Sequence, residues 1–303
     1  MMRLFALLAI LASLFLSGCS ENQNGAVEPT TEASKPALWK ATRSDGTGGS
    51  AWLMGTVHLL PADIDWQGLK IDKAIEQSSH LVVEVAALED QSRLATVFSN
   101  MGIRAGLPPL SQRIAPDLRS ALNAAQKRSA IPFKVLDRME SWAAALTLAA
   151  ATSANLGLRQ DLGVERVLTL RFKSAQKSVA GLETIEQQFG YFDQLSEADQ
   201  RAMLNAVLRT GPTNNESYTI MLDAWLSGNN DKLLDRPEDG ILATPGSRIA
   251  LLERRNQIWT NQIATMIDKG ERPFVAVGAA HLAGKGGVQA LLETKGYKVI
   301  RIQ

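Results

Sequence analysis

Two apolar runs near opposite ends of the chain stop on the same pattern, Gly-x-x-His-Leu. One is Trp52-Leu53-Met54-Gly55-Thr56-Val57-His58-Leu59, the other Val275-Ala276-Val277-Gly278-Ala279-Ala280-His281-Leu282. A glycine after a strand lets the backbone turn sharply or come close to another group, so a histidine three residues on is presented at the strand's end. The segments after the two motifs are also alike. After His58 come a loop with Pro, Asp and Gly, a helical stretch from Ile71 to Gln77, and the apolar run Leu81-Val82-Val83-Glu84-Val85. After His281 come Gly284, Gly286 and Gly287, a helical stretch from Val288 to Lys295 stopped by Gly296, and the strand-like Tyr297 to Ile302. Both halves read as strand, Gly-x-x-His, helix, strand, and predict two related units brought together around one site.

Between the two units the pattern is mostly helical. Helices are predicted over Ala115–Arg128, Trp142–Leu156, Gly163–Lys173, Tyr218–Leu226 and Glu197–Arg209, the last with Ser196 as N-cap. The longest runs from Ser247 to Lys269. One further strand is predicted at Ser178–Thr184, ending in Glu183. The fold class is therefore α/β (α+β), a small mixed sheet with a large helical insertion.

Acids in apolar strands are costly to desolvate unless paired, hydrogen-bonded or bound to a metal. Glu84, between Val83 and Val85, and Glu183 are both such acids. His80 lies four residues before Glu84 on the same side of its strand, but at about 3.3 Å per residue the two are roughly 13 Å apart, too far to share one ion. The long helix carries a second irregularity. Its apolar stripe Leu252, Trp259, Ile263, Met266 and Ile267 is interrupted by Arg255 and Asn256, which there need partners, a substrate or a site carboxylate.

The amino terminus reads as an address. Met1-Met2-Arg3, the apolar run Leu4–Leu16 and Leu16-Ser17-Gly18-Cys19 resemble a bacterial lipoprotein signal with its lipobox. The resemblance implies a signal over residues 1–18, lipidation of Cys19, and an anchored protein; Ser20 after the cysteine directs it to the outer membrane, facing the periplasm. Residues 19–37 are the lipidated cysteine and a polar tether that cannot bury enough surface to fold, and residues 38–303 form the domain. Formal charge is +1 and reaches zero without Arg3, so nothing points to nucleic acid as a partner. With Cys19 the only cysteine, no intrachain disulfide can form, and a chain of 45 % hydrophobic composition must rely on its core.

Several chemistries are excluded. There is no His-Glu-x-x-His and no Gly-x-Ser-x-Gly, the thiol lies in the lipobox, and Gly278 to Lys285 has the wrong spacing for a phosphate loop. Two histidines and two glutamates remain, a set that suits a divalent ion with open positions.

At these residues the chain resembles the TraB/GumN family, relatives of the Tiki proteins. The likeness extends over Leu38-Trp39-Lys40, Val82-Val83-Glu84-Val85, Trp142-Ala143-Ala144, Asp161-Leu162-Gly163-Val164, Gly181-Leu182-Glu183-Thr184, Arg255-Asn256 with Trp259, and both histidine motifs. Ala86 stands where relatives often carry an acid, and Ser141 where Pro is usual before Trp. The resemblance implies a metal-dependent, peptidase-like hydrolase acting on a peptide or small-molecule substrate, with a manganese or cobalt ion, or zinc. Carried over residue by residue, His58, His281, Glu84 and Glu183 are ligands, Glu84 doubles as general base, and Arg255 or Asn256 stabilises an oxyanion. The rival class is a non-catalytic lipoprotein that captures a metal or haem.

Overall fold

The structure is a computed structural model that describes residues 35–86, 90–155, 157–210, 215–235 and 240–303. The lipobox with Cys19, and the tether up to residue 34, lie outside the described residues. Six strands form one mixed sheet: β1 (Leu38–Arg43), β2 (Ser50–Thr56), β3 (His80–Val83), β4 (Val179–Gly181), β5 (Pro273–Gly278) and β6 (Tyr297–Arg301), in the order β4-β3-β5-β2-β1-β6. β4, β3, β5 and β2 run parallel to one another; β1 runs against both β2 and β6.

The apolar runs explain this placement. Side chains alternate across a strand, so a run without polar breaks needs cover on both faces. Trp52, Met54, Leu81, Val83, Phe274 and Ala276 pack on one side with α1 (Leu69–Gln77), α5 (Val164–Ser174) and α8 (Asn215–Leu226). Ala51, Leu53, Val82, Val275 and Val277 pack on the other with α9 (Arg254–Asp268) and α10 (Val288–Thr294). A third core joins α2 (Gln91–Gly102), α3 (Arg119–Ser129), α4 (Ser141–Asn155), α6 (Ile185–Asp193) and α7 (Glu197–Thr210) around Phe98, Trp142 and Phe189. Among the described residues no helix is long and apolar enough to cross a membrane.

The two predicted units are both present, and their strands β2 and β5 are neighbours, with Thr56 opposite Gly278. They leave this pair in opposite directions. β2 leads through α1 to β3, toward the β4 edge, while β5 leads through α10 to β6 at the other edge. Crossovers between parallel strands are right-handed, so opposite directions place the connecting helices on opposite faces, as α1 and α10 are. The carboxyl ends of β2 and β5 therefore lie side by side at a switch point, the kind of place at which open α/β sheets bind ligands.

Some boundaries differ from the sequence reading. β3 ends at Val83 and β4 at Gly181, so Glu84 and Glu183 stand just beyond their strands rather than inside them. The backbone pairing nevertheless continues, Leu182 N–H donating to the Val83 carbonyl at 2.9 Å and Glu183 N–H to that of Glu84 at 3.0 Å. The helix expected over Ser247–Lys269 is interrupted by a wide π-helical segment, Ile249–Glu253, directly before Arg254. Helices α2 and α6, and strand β1, complete the fold beyond the predicted elements.

Candidate functional site

Four adjacent parallel strands each deliver one side chain at their carboxyl ends: His58 after β2, Glu84 after β3, Glu183 after β4 and His281 after β5. Glu84, Glu183 and His281 are 3 %, 7 % and 3 % exposed. His80 is not among them; it opens β3 at the far end of the sheet, where Nδ1 meets Ser79 Oγ and Nε2 lies 3.6 Å from Glu271.

The motif glycines serve close approach. Gly278 donates its N–H to Glu84 Oε1 at 2.8 Å, and a Cβ there would sit 3.1 Å from that oxygen. A Cβ on Gly55 would lie 2.9 Å from Ala279 Cα, so the first motif's glycine makes room for the second motif itself. Neither glycine has a positive φ.

Arg255, at the start of α9, binds the two acids together. Nε donates to Glu183 Oε2 at 3.2 Å, and Nη2 to Glu183 Oε1 and Glu84 Oε2 at 2.5 Å each. Nη1 donates to the Leu251 carbonyl, in the π segment, at 3.0 Å and to His281 Nε2 at 3.2 Å. All five N–H groups of the guanidinium are thus used. Its plane is flanked by Trp259 and Tyr191, whose ring centroids are 4.5 Å and 5.6 Å from Cζ. Gln188 Nε2 adds a donor to Glu84 at 3.3 Å and to Glu183 at 3.2 Å.

Each imidazole is held through Nδ1. Asn256 Nδ2 donates to the Gly286 carbonyl at 2.8 Å, which turns its Oδ1 toward His281 Nδ1 at 2.5 Å. His281 therefore carries its proton on Nδ1 and offers the Nε2 lone pair to Arg255. His58 Nδ1 lies 2.7 Å from Glu165 Oε1, which also accepts from Thr56 Oγ1. Glu165 is brought there because α5 begins on the His58 loop: Val164 N–H donates to the Val57 carbonyl at 3.0 Å, and a Cβ on Gly163 would stand 2.1 Å from the His58 carbonyl oxygen.

Burial and charge set the protonation states. Desolvation acts to raise the Glu84 carboxyl, but Arg255, the neighbouring imidazoles and the Gly278 N–H outweigh it and hold it down at about 2. Glu183 is pushed up, first by burial and also by the Glu84 charge, against the pull of the shared guanidinium. Burial, with the Arg255 charge, brings His281 down to about 3, so its ring is neutral. His58 is close enough to bias both Glu84 and His281. Two spaces reach the cluster. A void of about 30 Å³, room for about two waters, is lined by Arg255, His281, Gln188 and Gly278. On the other side of Glu183 a cleft of about 300 Å³ runs along Val85, Ala86 and Gly181 to Gln187, with Arg93 at its edge.

The ion implied by the resemblance meets suitable donor types here but not a suitable arrangement. Every oxygen of Glu84 and Glu183 already accepts a hydrogen bond, and the cation they share is Arg255. Among the described residues no group of three or more His, Cys, Asp or Glu is placed to hold an ion.

Two contributors, Glu165 and Gln188, lie outside the residues singled out by sequence. An acid in a helix's first turn ordinarily reads as a partner for the helix dipole, which hid Glu165. Gln188 sits on the buried stripe Ile185, Phe189 and Phe192, the same irregularity that marked Arg255.

Fold and site together define an α/β protein with a buried carboxylate–guanidinium–imidazole cluster at the switch point of its sheet. The model of the TraB/PrgY/gumN family matches residues 37–301, and the chain belongs to that family. It is similar to YbaP of Escherichia coli (strain K12), an uncharacterized protein, at 27 % identity over 243 residues, 79 % of this chain and 86 % of the relative. The YbaP of Shigella flexneri is similar to the same degree. No solved structure matches the chain.

Proposed function

We propose that this cluster is the catalytic centre of a hydrolase, peptidase-like in substrate class. The observation that carries the reading is the delivery of Glu84, Glu183 and His281 to one buried point by three adjacent strands, with desolvated acids whose pKa values are driven apart and His58 near enough to bias Glu84 and His281. Glu84, ionised at neutral pH, takes the proton of an attacking water and returns it to the leaving atom; Glu183, beside the cleft, is the second carboxylate that holds Arg255 with it. Arg255 supplies positive charge where negative charge develops. Asn256 and Glu165 act through the histidines they orient.

These steps use only the chain's own residues. The manganese, cobalt or zinc that the resemblance implies has no step in this reading, which is checked by repeating the assay with each ion and with chelator. The rival reading, capture of a metal or haem without turnover, meets for haem a void of about 30 Å³ beside His281 and a cleft of about 300 Å³ that no histidine lines. A lipid anchor at Cys19 facing the periplasm belongs to the same proposal.

The test is a peptide-library and ester assay on the purified protein, with Glu84→Gln as comparison. Glu183 remains as counter-charge to Arg255 in that variant, so the fold should hold by circular dichroism while turnover falls at least about 100-fold, the scale of a lost general base. Glu183→Gln should cost less. Equal turnover in wild type and Glu84→Gln would sink the assignment.

A further inference from the structure

We infer that Arg255 is the built-in cation of this site: its guanidinium holds the place among Glu84, Glu183 and His281 that a divalent ion would take, so its contacts and ion binding exclude one another. An ion ligated by two carboxylates and an imidazole needs their lone pairs at about 2.0–2.2 Å. Arg255 Nη2 already lies 2.5 Å from one oxygen of each acid, and Nη1 is 3.2 Å from the His281 lone pair. Glu84 Oε1, the oxygen Arg255 leaves alone, is taken by the Gly278 N–H and stands 3.9 Å from His281 Nε2. An ion entering among these atoms would sit a few ångströms from a fixed positive charge in a buried setting, where like charges repel strongly.

Arg255 is also built to stay. It is 4 % exposed, flanked by the Trp259 and Tyr191 rings, and tied to the Leu251 carbonyl of the π segment, so no surface rotamer is a short step away. Ion uptake would require the guanidinium to withdraw from five acceptors at once.

The experiment reads binding alone, so its outcome is separate from whether the site hydrolyses anything. Full-length protein in detergent is titrated with Co²⁺ by visible absorption and with Mn²⁺ by calorimetry. Wild type should show no saturable one-ion binding at micromolar metal. Arg255→Met, which keeps bulk and removes charge, should bind one ion at least about tenfold more tightly, and adding Glu84→Gln should abolish that gain. Should Arg255→Met fail to fold, Arg255→Met/Glu183→Gln leaves one buried acid fewer without a partner, and the wild-type titration still decides. Saturable micromolar binding to wild type, or binding no tighter once the guanidinium is gone, overturns the inference.

Discussion

At the scale of single residues, the neutral state of His281 has a measurable consequence. In chelator-treated protein the folded imidazole stays unprotonated down to about pH 3, whereas in the unfolded chain it takes a proton near its ordinary 6.5. The unfolded state then binds more protons between those values, so this contribution to stability is complete above pH 6.5 and declines as pH falls. Glu84 adds to the loss lower down, from the ordinary 4.5 toward about 2, while Glu183, pushed up, works in the opposite sense just above the ordinary carboxylate value. Urea titrations should therefore show wild-type stability falling between pH 6.5 and 5 by up to about 1.4 kcal/mol per unit. His281→Gln should be flatter over the same range. Parallel curves would mean that the ring is already charged in the fold.

At the scale of elements, close approach decides the site as much as chemistry does. α5 can carry Glu165 to His58 only because Gly163 has no side chain, its Cβ position being 2.1 Å from the His58 carbonyl oxygen. Gly163→Ala should push the helix start off the loop, costing about 3 kcal/mol in stability and releasing the His58–Glu165 contact. Gly68→Ala is the matched control, with extended backbone and Lys35 Cε at 3.8 Å as its nearest neighbour, and should stay within about 0.5 kcal/mol of wild type. Chemical denaturation of both variants, with the His58 ring resonance followed by NMR, checks the pair. The π segment is the other local device. Its Leu251 carbonyl receives the Arg255 guanidinium, and wide turns of this kind recur at functional sites.

At the scale of the whole molecule, anchoring and chemistry are expected to be separate. By sequence residues 20–34 are polar, and the chain is first seen packed on the domain at Pro36 and Ala37, so Cys19→Ala should lose acyl labelling and leave the membrane fraction while keeping full turnover. Membrane association that persists without acylation would count against the lipid anchor. Loss of activity in the released protein would mean that the membrane surface helps to build the site.

Most of the sheet was legible because its strands are short apolar runs and its helices have clear periodicity; both faces of β2 and β5 are buried, and such strands leave a continuous hydrophobic signal. His58 and His281 were legible as a repeat, and Glu84, Glu183 and Arg255 as charges where apolar residues belong. α2 and α6 left weaker traces, and the break before Arg254 left none, since Ile249–Glu253 fits a regular helix equally well by sequence. By itself, then, the sequence determined which residues were too costly to bury alone. It could not determine their partners, because Glu84 and Arg255 are 171 positions apart and meet only through the order β4-β3-β5-β2. That meeting decided what the acids hold: a desolvated carboxylate must find a positive charge, and the tertiary structure supplied a guanidinium with all five of its donors engaged.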